Sequence, residues 1–266
     1  MRFLDSGRLC ALALGLGSIF FLLLAWEGLS RAELISPFLL PPPTEIFSAF
    51  HELASRGFPD GILITSHILV TLRRIFLGFL TAASLALPLG LLIGYSPRLD
   101  RLSHPVITFG RSMAALSVLP LFIAWLGIGE LSKVMLIAFG AFWVMLTYTV
   151  SSVKLMDPTL IRAARSMDVK GWDIFRHVML PACLPRIFIG LKVALVASFT
   201  IIVAAEMIAT VRGLGALIME ARNSFRTDIT MAGMLLIGAL GFGASKLLDA
   251  CEDRLLPWHR GLKDTP

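Results

Sequence analysis

Long uncharged apolar runs, each bounded by short polar stretches, recur along this chain: Leu9–Trp26, Ile75–Tyr95, Ser112–Ile128, Val134–Val153 and Ile229–Ser245. A sixth, Ile187–Val211, is interrupted only by Lys192 and Glu206. A helix crossing a hydrocarbon core of ~30 Å needs about 20 mostly apolar residues. The pattern therefore predicts an all-α integral membrane protein with six transmembrane helices. All six belong to one domain, residues 1–266, with spans at about 9–28, 72–95, 108–128, 132–153, 187–211 and 229–249. The first run is longer than the apolar core of a signal peptide, about 7–15 residues, and no small-x-small cleavage site follows it. It is expected to stay as a span, with Trp26 and Glu27 marking its interface.

Two polar stretches have structure of their own. After the first span, Pro41-Pro42-Pro43 break the chain and Thr44 can cap a short helix. Its apolar positions Ile46, Phe47 and Phe50 suit a helix lying on the membrane surface. Residues 154–186 are longer and cationic. There Asp157 can cap a helix whose first residue is Pro158, with Leu160, Ala163, Ala164 and Met167 on one face. Trp172, Phe175, Val178 and Met179 follow at helical spacing, and Leu180, Pro181 and Pro185 close the pattern before the next span.

Composition agrees with a membrane solvent. Hydrophobic residues make up 56% of the chain and charged residues 16%, with a mean hydropathy of +0.81; soluble domains carry about a quarter charged residues. With both termini placed in the cytoplasm, the inside segments hold Lys154, Arg162, Arg165, Lys170, Arg176 and Arg186, besides cations near each terminus. The outside segments are left with Arg31, Arg56, Arg212, Arg222 and Arg226. That asymmetry favours cytoplasmic termini and explains most of the net charge of +6. No basic patch interleaved with aromatics points to nucleic acid. The three cysteines lack metal-type spacing, and His67, His104, His177 and His259 form no HExxH arrangement. An enzymatic site and a metal are not expected. Trp125, Trp143 and Trp258 read as interfacial belts.

The 154–186 segment resembles the cytoplasmic coupling loop of binding-protein-dependent ABC importer permeases. That family pattern runs Glu-Ala-Ala, three residues, Gly, nine residues, Ile, one residue, Leu-Pro. The aligned positions here are Arg162-Ala163-Ala164, Asp168, Val178 and Leu180-Pro181, with Arg162 and Asp168 as departures. An Asp enters the left-handed conformation more readily than most non-Gly residues, so the departure at Asp168 still allows the turn. Further stretches (TLRRIFLGF from Thr71, LPLFIAWLGIGELSK from Leu119, VAAEMIATVRGLG from Val203, LLPWHRG from Leu255) look like the nitrate/sulfonate/taurine branch, most like its taurine permeases. The likeness covers roughly 34–262 and departs near Met113-Ala114-Ala115, where the branch carries a Pro-rich segment.

The resemblance implies a type I ABC importer permease fold in a bacterial inner membrane. The chain would act as a homodimer between two ATPase subunits and receive solute from an extracytoplasmic binding protein. It implies coupling roles for Arg162, Ala163, Ala164, Asp168, Leu180 and Pro181. No GxxxxGK[ST] motif occurs, so no cofactor is expected here, and ATP and Mg fall to the partner ATPase. The solute would be small and anionic or zwitterionic, taurine or an aliphatic sulfonate before nitrate. A secondary transporter or channel would show internal repeats or several intramembrane ionisable groups, and a non-transporting scaffold would leave Glu206 without purpose.

Glu206 and Lys192 read as the only charges well inside a span. They share a helix face but stand about 21 Å apart, too far to pair. Lys192 is expected to snorkel to the inner interface. Glu206 is read as a pathway or gate residue that holds an arginine, Arg73, Arg74 or Arg212; those arginines are equally readable as interface anchors. Pro88 and Pro120 interrupt helical hydrogen bonding, which is tolerated where neighbours or a cavity satisfy the freed groups, and Gly90 with Gly94 permits close helix approach; ordinary helix packing with kinks is the other reading. The Gly213-Leu214-Gly215 turn and the segment after it form either a gate lip or a plain connection.

Overall fold

Prolines and small residues decide where these helices start, bend and touch. The computed structural model describes residues 17–18, 20–32, 36, 38–169 and 171–259. Those residues form helices α1 (20–31), α2 (Pro43–Ser55), α3 (Ile64–Tyr95), α4 (Pro97–Ser112), α5 (Leu119–Leu126), α6 (Glu130–Lys154) and α7 (Pro158–Ser166). There follow α8 (Trp172–Ile174), α9 (Leu180–Ala209), α10 (Leu214–Asn223) and α11 (Thr227–Leu255). No strand occurs among the described residues. Four helical stretches are long and apolar enough to cross a membrane: Ile64–Tyr95, Glu130–Lys154, Trp172–Ile208 and Thr227–Leu255. A bent pair, Pro97–Ser112 with Ala115–Leu126, makes a fifth if it is one span. The first expected span, about 9–28, falls largely outside the described residues.

Contacts divide the chain into two compact units, Met1–His67 with Leu217–Leu236, and Ile68–Ala216 with Ile237–Pro266. In the first unit, Ile46, Ala49 and Leu53 form the buried face of α2, while Phe47 is exposed. Thr44 does not cap that helix. Pro42 holds the N-cap position, and the Thr44 hydroxyl donates to Glu27 Oε1 (2.8 Å), which also accepts from Arg31 Nε (2.6 Å). Arg226 bridges Glu52 (2.7 Å) and Asp228 (2.9 Å). The hydrogen bond from Arg226 holds the Glu52 carboxyl below its usual range.

In the second unit α6 and α9 form the core, with Leu136, Ile137, Leu195, Phe199 and Ile202 buried together. The helix α3 reaches α6 through a small residue at every fourth position: Gly78, Ala82, Ala86, Gly90 and Gly94. A Cβ on Gly90 would stand 2.6 Å from Thr149 Cβ, and one on Gly94 2.7 Å from Val153 Cβ. The close approach needs glycine there. Gly90→Ala is expected to cost roughly 1–3 kcal/mol through overpacking, read as a lower melting temperature of the purified chain.

Further expectations differ from the structure. The stretch expected as a span at 108–128 is not one straight helix: Met113 and Ala114 are extended, and the chain turns by 87°. Pro120 suits the first turn of the new helix. It lacks an N–H and would strike the carbonyl of Leu116 in a continuous helix, so it is accommodated in the first turn of α5. It therefore starts a helix and does not interrupt one. Pro181 and Pro185 do not close the preceding pattern either. Phe175–Met179 forms a wide π turn that runs directly into α9, and such a turn gives room to the ring of Pro181, which a regular α-turn lacks. Finally, Trp143 is not a belt residue: it lies in the middle of α6, half-buried, edge-on to Phe139 and Phe142 and over Gly110.

Candidate functional site

Glu206, near the C-terminal end of α9, has no solvent exposure. Its Oε1 accepts from Arg74 Nη1 at 2.7 Å, and its Oε2 from the Gly215 N–H at 2.9 Å. The Thr71 hydroxyl lies 2.9 Å from both oxygens and itself accepts from the Leu214 N–H at 2.9 Å. The backbone carbonyl of Glu206 takes the Thr210 hydroxyl at 2.6 Å. A buried carboxylate survives when it is both ion-paired and fully hydrogen-bonded, and this one is.

Arg74, one helical turn beyond Thr71 on α3, is 2% exposed. Besides Glu206 it donates to the Arg212 carbonyl at 2.9 Å. Its other edge forms a fork on Glu130, Nε to Oε2 at 2.7 Å and Nη2 to Oε1. One guanidinium thus ties α3, the start of α6, α9 and the 210–215 turn together. Arg74 is the arginine that Glu206 holds.

Gly213 and Gly215 explain themselves in this setting. A Cβ on Gly213 would fall on the Glu206 carboxylate, and its φ of 132° is one that side chains avoid. A Cβ on Gly215 would meet Glu206 Cβ at 2.7 Å. Gly213→Ala is expected to dislodge the turn and reduce solute uptake to the same degree as loss of the carboxylate, measured in proteoliposomes. Pro120 makes none of these contacts and is exposed. Thr71, Glu130 and Lys133 belong to the cluster although only Arg74 and Glu206 stand out in the sequence. The spacing that could have revealed them is i, i+3: Thr71 with Arg74, and Glu130 with Lys133.

Lys192 has partners on a neighbouring helix. Its ammonium pairs with Asp249 at 2.6 Å and with Glu252, which is 5% exposed. Both partners are acidic residues in the last turns of α11. A fork of α9 and α11 also borders an open apolar groove of about 550 Å³, lined by Phe199, Val203, Met207, Gly238 and Phe242.

In the 154–186 segment, Asp157 Oδ1 accepts from the Thr159 N–H at 2.8 Å and caps α7; that hydrogen bond lowers its carboxyl pKa. The helix ends in a paired closure: Val169 N–H to Ala164 O at 3.1 Å and Asp168 N–H to Arg165 O at 3.0 Å. This is a Schellman cap with Asp168, φ 59°, at the left-handed position that glycine usually fills. Leu160 and Met167 are 44% and 79% exposed, and Ala163, Arg162 and Arg165 are exposed beside them. Ala164 differs from its neighbour: it is buried within the chain. Leu180 and Pro181 are half-buried at the start of α9. Lys154 reaches Asp100 on α4 at 2.8 Å.

The architecture is that of a membrane permease. Its fold matches a chain of the inward-facing MetNI methionine ABC transporter with a TM-score of 0.63 over 73% of this chain and 94% of that one, at 19% identity. Residues 86–260 match the profile of the binding-protein-dependent transport system inner membrane components, and the chain belongs to that family. The taurine transport system permease protein TauC of Escherichia coli K12 is 35% identical over 92% of this chain and 90% of its own length. The nitrate import permease protein NrtB of Leptolyngbya laminosa is 30% identical over 71% and 68%. The chain is accordingly a multi-pass membrane permease subunit and not an enzyme; ATP hydrolysis belongs to a separate ATPase.

Proposed function

We propose that this chain forms the translocation pathway of an ATP-driven importer for a small anionic or zwitterionic solute. Taurine or another aliphatic sulfonate is the first choice and nitrate the next. The likeness to a taurine permease along nearly the whole chain carries this reading. Two copies would assemble between two ATPases that bind ATP and Mg, with both termini cytoplasmic in a bacterial inner membrane. The exposed Leu160–Ala163–Met167 face of α7, flanked by Arg162 and Arg165, supports docking of an ATPase there. Asp168 supports it by holding the end of that helix in a fixed turn. The groove along α9 and α11 would face the second copy or the pathway.

Closure of the ATPases would push α7 and the π turn, and α9 would carry that movement to Glu206 at its far end. The Arg74–Glu206 pair would then act as the gate, since it joins three helices and the 210–215 turn at one point. A solute-loaded extracytoplasmic binding protein would deliver into the cavity so opened. Reconstitution in liposomes with the matching receptor and ATPase tests the reading. Taurine-loaded receptor should stimulate ATP hydrolysis and drive taurine uptake, and nitrate-loaded receptor should do so more weakly. ATPase activity indifferent to every loaded receptor would contradict it.

A further inference from the structure

The fork between Arg74 and Glu130 is lopsided. Arg74 is 2% exposed while the Glu130 side chain is 66% exposed. The Nε–Nη2 edge of a buried guanidinium is therefore covered on that side by a carboxylate that stands largely in water. A fork of this kind binds any planar pair of oxyanion oxygens, carboxylate or sulfonate, with the same two N–H groups. Because the Glu130 end of this pair stands in water, a dissolved oxyanion can approach the same N–H groups from that side.

Lys133 is the second, independent observation. It lies one turn beyond Glu130 on the same face of α6 and is 3% exposed. Its charge acts on Arg74, Glu130 and Glu206, yet among the described residues it makes no hydrogen bond or ion pair. Its stem is packed in the chain while its ammonium is not sealed from solvent, so an acceptor arriving from water can reach it. With Glu130 in place, the two cations and two carboxylates balance. With Glu130 turned out into water, Arg74 and Lys133 face Glu206 alone, and one positive charge is left for a monovalent anion.

We propose that Glu130 is a built-in stand-in for the solute: a monovalent oxyanion, sulfonate or nitrate, displaces it from Arg74 and completes Lys133. The inference rests on the import reading for its solute class, but the site is defined by this chain's own residues. Glu206 is the fixed counterion and is not displaced, because its oxygens are held by Thr71, Gly215 and Arg74 from within.

The test uses the full-length chain in lipid nanodiscs with methanesulfonate as the probe, in chloride-free buffer, read by calorimetry. Glu130→Gln should bind methanesulfonate at least about tenfold more tightly than wild type, since the competing charge is gone. Glu130→Asp, whose shorter carboxylate reaches the fork less well, should fall between them. Adding Lys133→Met to Glu130→Gln should lose about tenfold again, with the melting temperature reporting that the variants are folded. Equal binding by all of these, or an affinity unmoved by Lys133→Met, would overturn the proposal. So would chloride competing as well as nitrate. Taurine uptake in the complete system reads the import proposal separately: uptake without Glu130-dependent binding removes the stand-in alone, and binding without uptake of any oxyanion removes the importer reading alone.

Discussion

Glu206→Gln is expected to abolish solute uptake while the chain still assembles with its ATPase. The carboxylate accepts from Arg74, Thr71 and the Gly215 N–H at once. An amide in its place presents an NH2 group to one of those donors and leaves Arg74 without its buried counterion. Breaking one side of a buried pair costs roughly 3–5 kcal/mol, a shift of more than ~100-fold in any equilibrium that depends on the pair being closed. Coupling should therefore fail: ATP hydrolysis continues but no longer responds to loaded receptor. Uptake and ATPase rates measured in the same proteoliposomes separate this outcome from simple misassembly. Normal uptake by the variant would remove Glu206 from the gate.

Ala163→Glu is expected to prevent stable capture of the ATPase without unfolding the chain. Ala163 is exposed on the face that also carries Leu160 and Met167. A charged side chain there would hold a partner's groove away from the helix backbone and bury an unpaired carboxylate in the interface. Ala164→Glu would be a poorer probe, because Ala164 is buried in the chain and the substitution would disturb α7 itself. Co-purification of the ATPase on tagged permease should fall to background for Ala163→Glu and stay near wild type for Thr159→Ala, whose hydroxyl meets Arg162 and Asp157 within the chain. Equal capture by both variants would count heavily against docking on this face.

The features legible in the sequence were those set by neighbours a few residues away. Asp157 and Pro158 fix the start of α7 through one hydrogen bond and one tolerated ring, and both effects are local. Asp168 could be assigned a left-handed turn because its own backbone preference decides it. Glu206 stood out because charge in an apolar run is costly wherever it lands. Its partner could be narrowed to three arginines but no further, since the choice depends on how α3 and α9 face each other.

What stayed hidden depends on distant or directional contacts. Lys192 finds its acids on α11, about sixty residues away in sequence, and nothing along α9 announces them. Glu130 and Lys133 lie beside Gly127 and Gly129 and read as a polar boundary until Arg74 is brought against them. Thr44 has the right identity and place for a cap, yet Pro42 takes that position and the Thr44 hydroxyl turns to Glu27. Hydropathy reports how much apolar length a segment has and not its direction, so the 87° turn at Met113-Ala114 is invisible to it.

In an assembled importer α7 should be the surface on which a separate ATPase bears. A photo-crosslinking side chain placed at Met167, which is 79% exposed at the end of that helix, tests it directly in the assembled, nucleotide-bound complex. A covalent adduct to the ATPase is expected, with a yield that changes between nucleotide-free and ATP-bound states. Adducts to lipid or solvent alone, in every nucleotide state, would contradict it.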